Sequence, residues 1–173
     1  MKPPALKKLD PGFFLRDVLQ VAPELLGKYI VHNSGNETYY YRITEVEAYR
    51  GEEDRACHAS KGRTARTEIM YHDGGHLYTY LIYGMYWMLN IVTGQENSPE
   101  AILIRGIEGF NGPGKLTREL KIDGSYYGEH LFRSERIWLA GDRSIPIYHT
   151  TPRIGIDYSG EPWISKPWRF ILV

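Results

Sequence analysis

The chain has 173 residues, with 21 Lys and Arg against 21 Asp and Glu, a formal net charge of zero. That length suits one domain with a core of its own, and the neutral balance excludes nucleic-acid binding through bulk charge, leaving only a local basic surface for it. Cys57 is the only cysteine, which excludes an internal disulfide or a cysteine-rich zinc site and fits a reducing compartment.

No apolar run approaches the roughly 20 residues of a membrane span, and Met1–Asp10 lacks the apolar stretch of a signal peptide. A soluble intracellular protein is expected, with no membrane association. There is no internal repeat, low-complexity tract or long linker. The expected organisation is a loose lead-in over 1–11 followed by one domain over 12–173.

In chain order, a short helix is expected within 17–26, opening near Asp17 with Gln20 at capping-box spacing and closing at Gly27. Pro23 either kinks that helix or begins it. Lys28–His32 reads as a strand, Ser34-Gly35-Asn36 as a turn and Tyr39–Tyr49 as a long strand. Residues 50–76 are polar, without period, and long enough to be either functional or disordered. Leu77–Tyr83 and Tyr86–Thr93 are aromatic, β-branched runs around Gly84-Met85, the pattern of a two-residue type II′ hairpin link. Ala101–Ile107 is a further strand, Lys115–Lys121 a short helix, and Ile137–Leu139 and Trp168–Val173 the last strands. The sum is α+β, a single domain with a mixed, mostly antiparallel sheet and peripheral short helices.

Alternation along Tyr39–Tyr49 puts Ile43, Glu45, Glu47 and Tyr49 on one face unless a bulge intervenes. Two carboxylates beside a tyrosine suit a general base next to a stacking ring; they suit a solvated strand face as well. Arg55 to Arg66 carries basic residues and no acid, with Gly, Ser and Thr interleaved. Its backbone amides could approach phosphates, or its charges could pair with Glu52, Glu53 and Asp54. The hairpin presents Tyr78, Tyr80, Tyr83 and Tyr86 near its tip, either as cross-strand packing or with one ring as a wedge between base pairs. Two-residue pairing predicts Tyr83 opposite Tyr86, Tyr80 opposite Leu89 and Thr79 opposite Asn90. Asn90 and Arg105 are polar positions in apolar strands and need partners if buried.

Two patterns are weaker. Gly109 to Lys115 has phosphate-loop spacing, but Leu116 stands where that loop needs Ser or Thr. His72 and His76 could ligate a metal with His58 or Cys57, yet Asp73-Gly74-Gly75 breaks the helix that would align them.

Taken together, Ile43-Thr44-Glu45-Val46-Glu47-Ala48-Tyr49-Arg50-Gly51, Glu53-Asp54 and Cys57-His58-Ala59 resemble the alkyladenine (3-methyladenine) DNA glycosylase family. So do Leu77 to Tyr86, Asn90, Ile102-Leu103-Ile104-Arg105, Gly112 to Leu116, Arg153 to Ile156 and Trp168-Arg169-Phe170, all in the family's order. The resemblance implies a monofunctional base-excision repair enzyme. It would flip alkylated or deaminated purines out of double-stranded DNA and hydrolyse the N-glycosidic bond, leaving an abasic site. The lesions it implies include 3-methyladenine, 7-methylguanine, hypoxanthine and ethenoadenine.

By the same resemblance Glu47 and Arg105 are catalytic, and Tyr49, His58, Tyr80 and Asn90 hold or screen the base. Tyr83 intercalates, and Arg63, Thr64, Arg66, Met70 and Lys115 contact the DNA backbone. No cofactor, metal or obligate protein partner is implied; a monomer working wherever the DNA lies, cytoplasm, nucleoid or nucleus, is. The departure is Ala65-Arg66-Thr67-Glu68, where the family commonly has Pro-Arg-Asn and where an acid enters the DNA-facing loop. The alternatives are a non-catalytic damaged-DNA-binding module of the same fold and a metal-dependent hydrolase using His58, His72 and His76.

Overall fold

The computed structural model describes residues 6–173, so the first five residues of the expected lead-in lie outside the described residues. The remainder of that lead-in is docked. Strand β1 (Lys7–Lys8) pairs with β8, and the Leu9 N–H reaches the Leu139 carbonyl at 2.9 Å. Helix α1 (Pro11–Phe14) follows, then α2 (Val18–Leu25). The Asp17 side chain caps α2 by accepting the Leu19 N–H at 2.8 Å. Val18, Val21, Ala22 and Leu25 form its buried stripe at helical spacing. The helix runs through Pro23 instead of starting there, and Gly27 ends the segment with φ +79°, a left-handed conformation in which glycine carries no Cβ penalty.

The remaining strands are β2 (Tyr29–Asn33), β3 (Thr38–Arg50), β4 (Leu77–Ile82), β5 (Tyr86–Thr93), β6 (Glu100–Ile107), β7 (Phe110–Asn111), β8 (Ile137–Gly141), β9 (Tyr148–Thr151) and β10 (Arg169–Leu172). Helix α3 (Pro113–Glu119) lies between β7 and β8. The sheet runs β1-β8-β2-β3-β6-β5-β4, with β10 bridging β3 and β9 and β7 pairing with β6. Every named pair is antiparallel.

Strand β3 spans more than one neighbour can cover. Its first half pairs with β2 and residues 45–47 pair with β10, while β6 covers the other edge from Ile43 to Arg50. At this handover the register with β6 slips by one residue between Ile43 and Glu45 and slips back between Glu45 and Val46, a local irregularity in the pairing. The expected face is corrected accordingly. Ile43 lies in the main core with Val46 and Ala48, while Glu45, Glu47 and Tyr49 point the other way.

The hairpin also differs from expectation. Ile82 pairs with Tyr86, Tyr80 with Met88 and Tyr78 with Asn90, so the link is three residues, Tyr83-Gly84-Met85. Tyr83 and Gly84 both have positive φ (52° and 65°), and the Met85 N–H closes on the Ile82 carbonyl at 3.1 Å. One extra residue in the link shifts every cross-strand partner on one side.

The sheet has an apolar layer on each face. The main core gathers α2, α3 and the inward residues of β3, β5, β6 and β8. The second, smaller cluster joins Tyr78, Val92 and Ala101 to Cys57, Ala59, Ile69, Met70 and Tyr71 from the long loop. Far from being disordered, that loop folds into two 3-10 turns, His58–Lys61 and Glu68–Tyr71, clamped over the sheet. Each fully buried aliphatic side chain contributes about 1.5–3 kcal/mol, enough for these few anchors to hold a polar loop in place.

Candidate active site

The registers of four strand pairs place Arg169, Glu47, Leu103, Asn90 and Tyr78 in one row across β10, β3, β6, β5 and β4. Tyr49, Arg105 and Tyr80 stand two residues along their strands from members of this row, on the same face. The long loop and residues 154–158 wall in this surface, leaving a cleft of about 360 Å³ lined by Tyr49, His58, Tyr80, Asn90, Arg105 and Ile154 among others. Sites for small ligands run from about 300 to 1,000 Å³, so this one has room for a single small ligand.

Glu47 is fully buried beneath that cleft. Its Oε1 accepts hydrogen bonds from the Tyr49 hydroxyl and from Arg105 Nη1, each at 3.2 Å, and its Oε2 accepts the Ile154 backbone N–H at 2.6 Å. Tyr49, Arg105 and Ile154 line the cleft, so the carboxylate sits one layer under its floor. Burial raises the Glu47 carboxyl above its ordinary pKa, while Arg105, the Ile154 N–H, the Tyr49 hydroxyl and Arg153 pull it back down.

Arg105 is held in turn. Its Nε donates to Glu45 Oε1 at 3.2 Å, and Arg169 Nε donates to the same oxygen at 2.6 Å. Glu45 thus anchors the arginine that reaches Glu47.

The aromatic walls are mutually braced. His58 and Tyr80 rings lie 4.6 Å apart between centroids, and Tyr78 and Tyr80 5.2 Å apart. His58 Nδ1 and the Tyr78 hydroxyl are 2.7 Å apart. Burial first, then the charges of Arg66 and Lys61, lower the His58 imidazole to about 4, so it is neutral at physiological pH. Asn90 is buried and its Nδ2 donates to the Tyr78 carbonyl at 3.2 Å, which fixes the amide at the cleft wall.

Tyr83 projects from the hairpin tip with 86% of its surface exposed and still lines the cleft mouth. The site thus brings together Glu47, Arg105, Tyr49, His58, Tyr80 and Asn90, with Tyr83 at the rim. The residues expected at the DNA backbone are more scattered. Arg63 forks onto Glu68 at 2.8 and 2.6 Å, the acid that marks this chain's departure from the family pattern. The basic loop's ion-pairing acid is therefore Glu68; Glu52 instead accepts from the Tyr71 hydroxyl, and Asp54 is buried. Thr64 is exposed, with its hydroxyl 3.2 Å from that of Thr67. Arg66 lies over the Tyr80 ring at 5.0 Å. Met70 is buried under the cleft with its N–H on the Thr67 carbonyl at 2.9 Å, and Lys115 is exposed on α3. His72 pairs with Glu68 and His76 with the Asp73 carbonyl. No three His, Cys, Asp or Glu side chains among the described residues are grouped to hold a metal ion.

Strand patterning gave no signal for one set of partners. Asp54 and Arg153 form an ion pair at 2.6 Å with both side chains wholly buried. Arg153 also donates to the Ala48 carbonyl at 3.0 Å and lies between the Tyr49 and Trp168 rings, 4.9 and 5.0 Å from their centroids. This ties residues 153–154 to the back of β3 and presents the Ile154 N–H to Glu47.

The sequence matches the methylpurine-DNA glycosylase family over residues 12–110 and 109–173. A Legionella pneumophila (strain Corby) protein is 42% identical over 96% of this chain and 95% of its own length. A Natranaerobius thermophilus protein is 40% identical over 95% of both chains. One from Psychrobacter cryohalolentis is 41% identical over 92% of this chain and 88% of its own. All three carry the name "Putative 3-methyladenine DNA glycosylase". The chain belongs to the methylpurine-DNA glycosylase family. It is a monofunctional DNA glycosylase, a base-excision repair enzyme that hydrolyses N-glycosyl bonds in DNA.

Proposed function

We propose that the protein extrudes alkylated or deaminated purines from duplex DNA into the aromatic cleft and releases them with a water activated by Glu47. The observation that carries this reading is a single buried carboxylate, hydrogen-bonded from three sides, directly beneath a cleft walled by Tyr49, His58 and Tyr80. A purine in the stack hides its glycosidic bond, so its nucleotide must leave the helix, at a cost of a few kcal/mol that is least for damaged pairs. Tyr83 fills the gap left behind. Stacking on the cleft walls returns roughly 1–3 kcal/mol per base.

A neutral His58 is suited to this task. Alkylated purines such as 3-methyladenine and 7-methylguanine are cationic, and electron-rich neutral rings attract them where an imidazolium would repel them. Asn90 screens the base by crowding the 2-amino group of guanine, a penalty that excludes normal guanine and that the weakened glycosidic bond of cationic 7-methylguanine offsets. As the glycosidic bond opens, positive charge builds on the sugar. Glu47 stabilises that charge and takes a proton from the water, while Arg105 orients both. Its Oε1 already holds two donors at 3.2 Å, so one of these long contacts yields when water enters. The exposed side chains of Thr64, Arg66 and Lys115 are assigned to the DNA backbone in this reading.

The test is incubation of the protein with duplexes each carrying one hypoxanthine, ethenoadenine or 3-methyladenine, assayed for free base and abasic sites. Release of at least one base, with the strand uncut, is expected. Tight lesion binding with no release from any duplex would instead indicate a non-catalytic damaged-DNA-binding module.

A further inference from the structure

We propose that a second hollow, adjoining the base cleft at His58, seats one phosphodiester of the lesion-bearing strand through Arg55, Lys61 and Arg66, with Arg63 taking no part. The inference rests on the glycosylase reading for the identity of its ligand but is carried by separate observations. The hollow has a volume of about 410 Å³ and shares Cys57, His58 and Tyr158 with the base cleft. The two spaces therefore adjoin along Cys57, His58 and Tyr158, and a nucleotide with its base in the first would carry its backbone past the second.

The lining is cationic without compensation. Arg55, Lys61 and Arg66 border the hollow, no acid does, and none of the three makes a salt bridge among the described residues. Ser60 and Thr64 add hydroxyl groups to the same wall. The charges converge: Lys61 and Arg66 both act on the His58 ring to hold off its protonation. Arg66 also lies over the Tyr80 ring, at the boundary between hollow and cleft. Three unpaired cations with hydroxyl donors in a concave site fit a single tetrahedral monoanion.

Arg63, although in the same basic run, is spent. It makes a two-pronged contact with Glu68 and a further one with Asn97 at 3.2 Å, so the pair is neutral toward DNA. A chain with no net charge would concentrate its electrostatic grip here.

The experiment is fluorescence anisotropy with a labelled ethenoadenine duplex over a range of salt concentrations. Each neutralised phosphate contributes about 0.9 to the slope of log affinity against log salt. The double variant Arg55→Gln/Lys61→Gln is expected to lower the slope by about 1 and the affinity about tenfold at moderate salt. The charge-balanced variant Arg63→Gln/Glu68→Gln is expected to leave the slope unchanged. The reverse pattern, or equal effects, overturns the assignment. Both variants alter exposed side chains, and thermal unfolding verifies that they fold. Inorganic phosphate at constant ionic strength is expected to displace the duplex no better than chloride; displacement abolished by the double variant would make the hollow a free-anion site and overturn the strand assignment. Base release is followed in parallel on the wild type. A lowered slope without release upholds the seat and sinks the catalytic reading, and release with an unchanged slope does the opposite.

Discussion

Glu47 works against its surroundings. Desolvation favours its neutral form, and Arg105, the Ile154 amide and the Tyr49 hydroxyl favour the charged form that a general base requires. Burial prevails, so base release from a 7-methylguanine duplex, a lesion whose leaving group needs no proton, should decline on an acid limb above the ordinary glutamate range. Tyr49→Phe keeps the ring and removes one donor that lowers this pKa. Its pH–rate profile should shift to higher pH with binding retained, and an unshifted limb would dissociate Glu47 from the profile. Arg153 belongs to the same scale. Breaking a buried ion pair by removing one partner costs about 3–5 kcal/mol, so Arg153→Met should lower the melting temperature by about 10 °C, as read by thermal unfolding. Asp54→Asn/Arg153→Met should recover part of that loss.

At the scale of elements, the hairpin carries a local cost for its tip. Tyr83 adopts φ 52°, where a non-glycine residue is strained by about 1 kcal/mol or more. Tyr83→Gly should therefore leave stability unchanged or slightly raised while weakening capture of the flipped nucleotide, measured by the fluorescence of an extruded ethenoadenine. Unchanged capture would remove the wedge role.

The strand pattern was legible in the sequence, because alternation reports faces directly: Glu45, Glu47 and Tyr49 do share one. Ile43 does not, because the register irregularity beside it falls where β2 gives way to β10, a partner more than a hundred residues later in the chain. The hairpin register was missed for a local reason. Gly84 suggests a two-residue link, and the left-handed Tyr83 before it carries no such signal. The contact between Asp54 and Arg153 was out of reach, since nothing in either neighbourhood encodes a partner 99 positions away. The roles of Glu47 and Asn90 came from resemblance, and the structure adds the distances through which such roles could act.

Across the whole molecule, charge is distributed unevenly under a net of zero. Asp17, Glu52, Glu53 and Glu100 border one hollow with Arg50, and one of these acids is unusual. Glu100 is nearly buried beside Asp17, and burial first, then that neighbour, raises it to about 7. A carboxyl raised in the folded state contributes stability that is complete below the unfolded value near 4.5 and is lost as pH rises through 7. Glu100→Gln should thus stabilise the protein at pH 8 by on the order of 1–2 kcal/mol and have much less effect at pH 5. Equal melting shifts at both pH values would contradict this.

The whole account converges on what one carboxylate does to a water molecule. Single-turnover base release by Glu47→Gln, with lesion binding measured on the same duplex, tests it most directly. The account predicts binding within a fewfold of wild type and a rate lower by a factor of about 10²–10⁴. Release at the wild-type rate would contradict it.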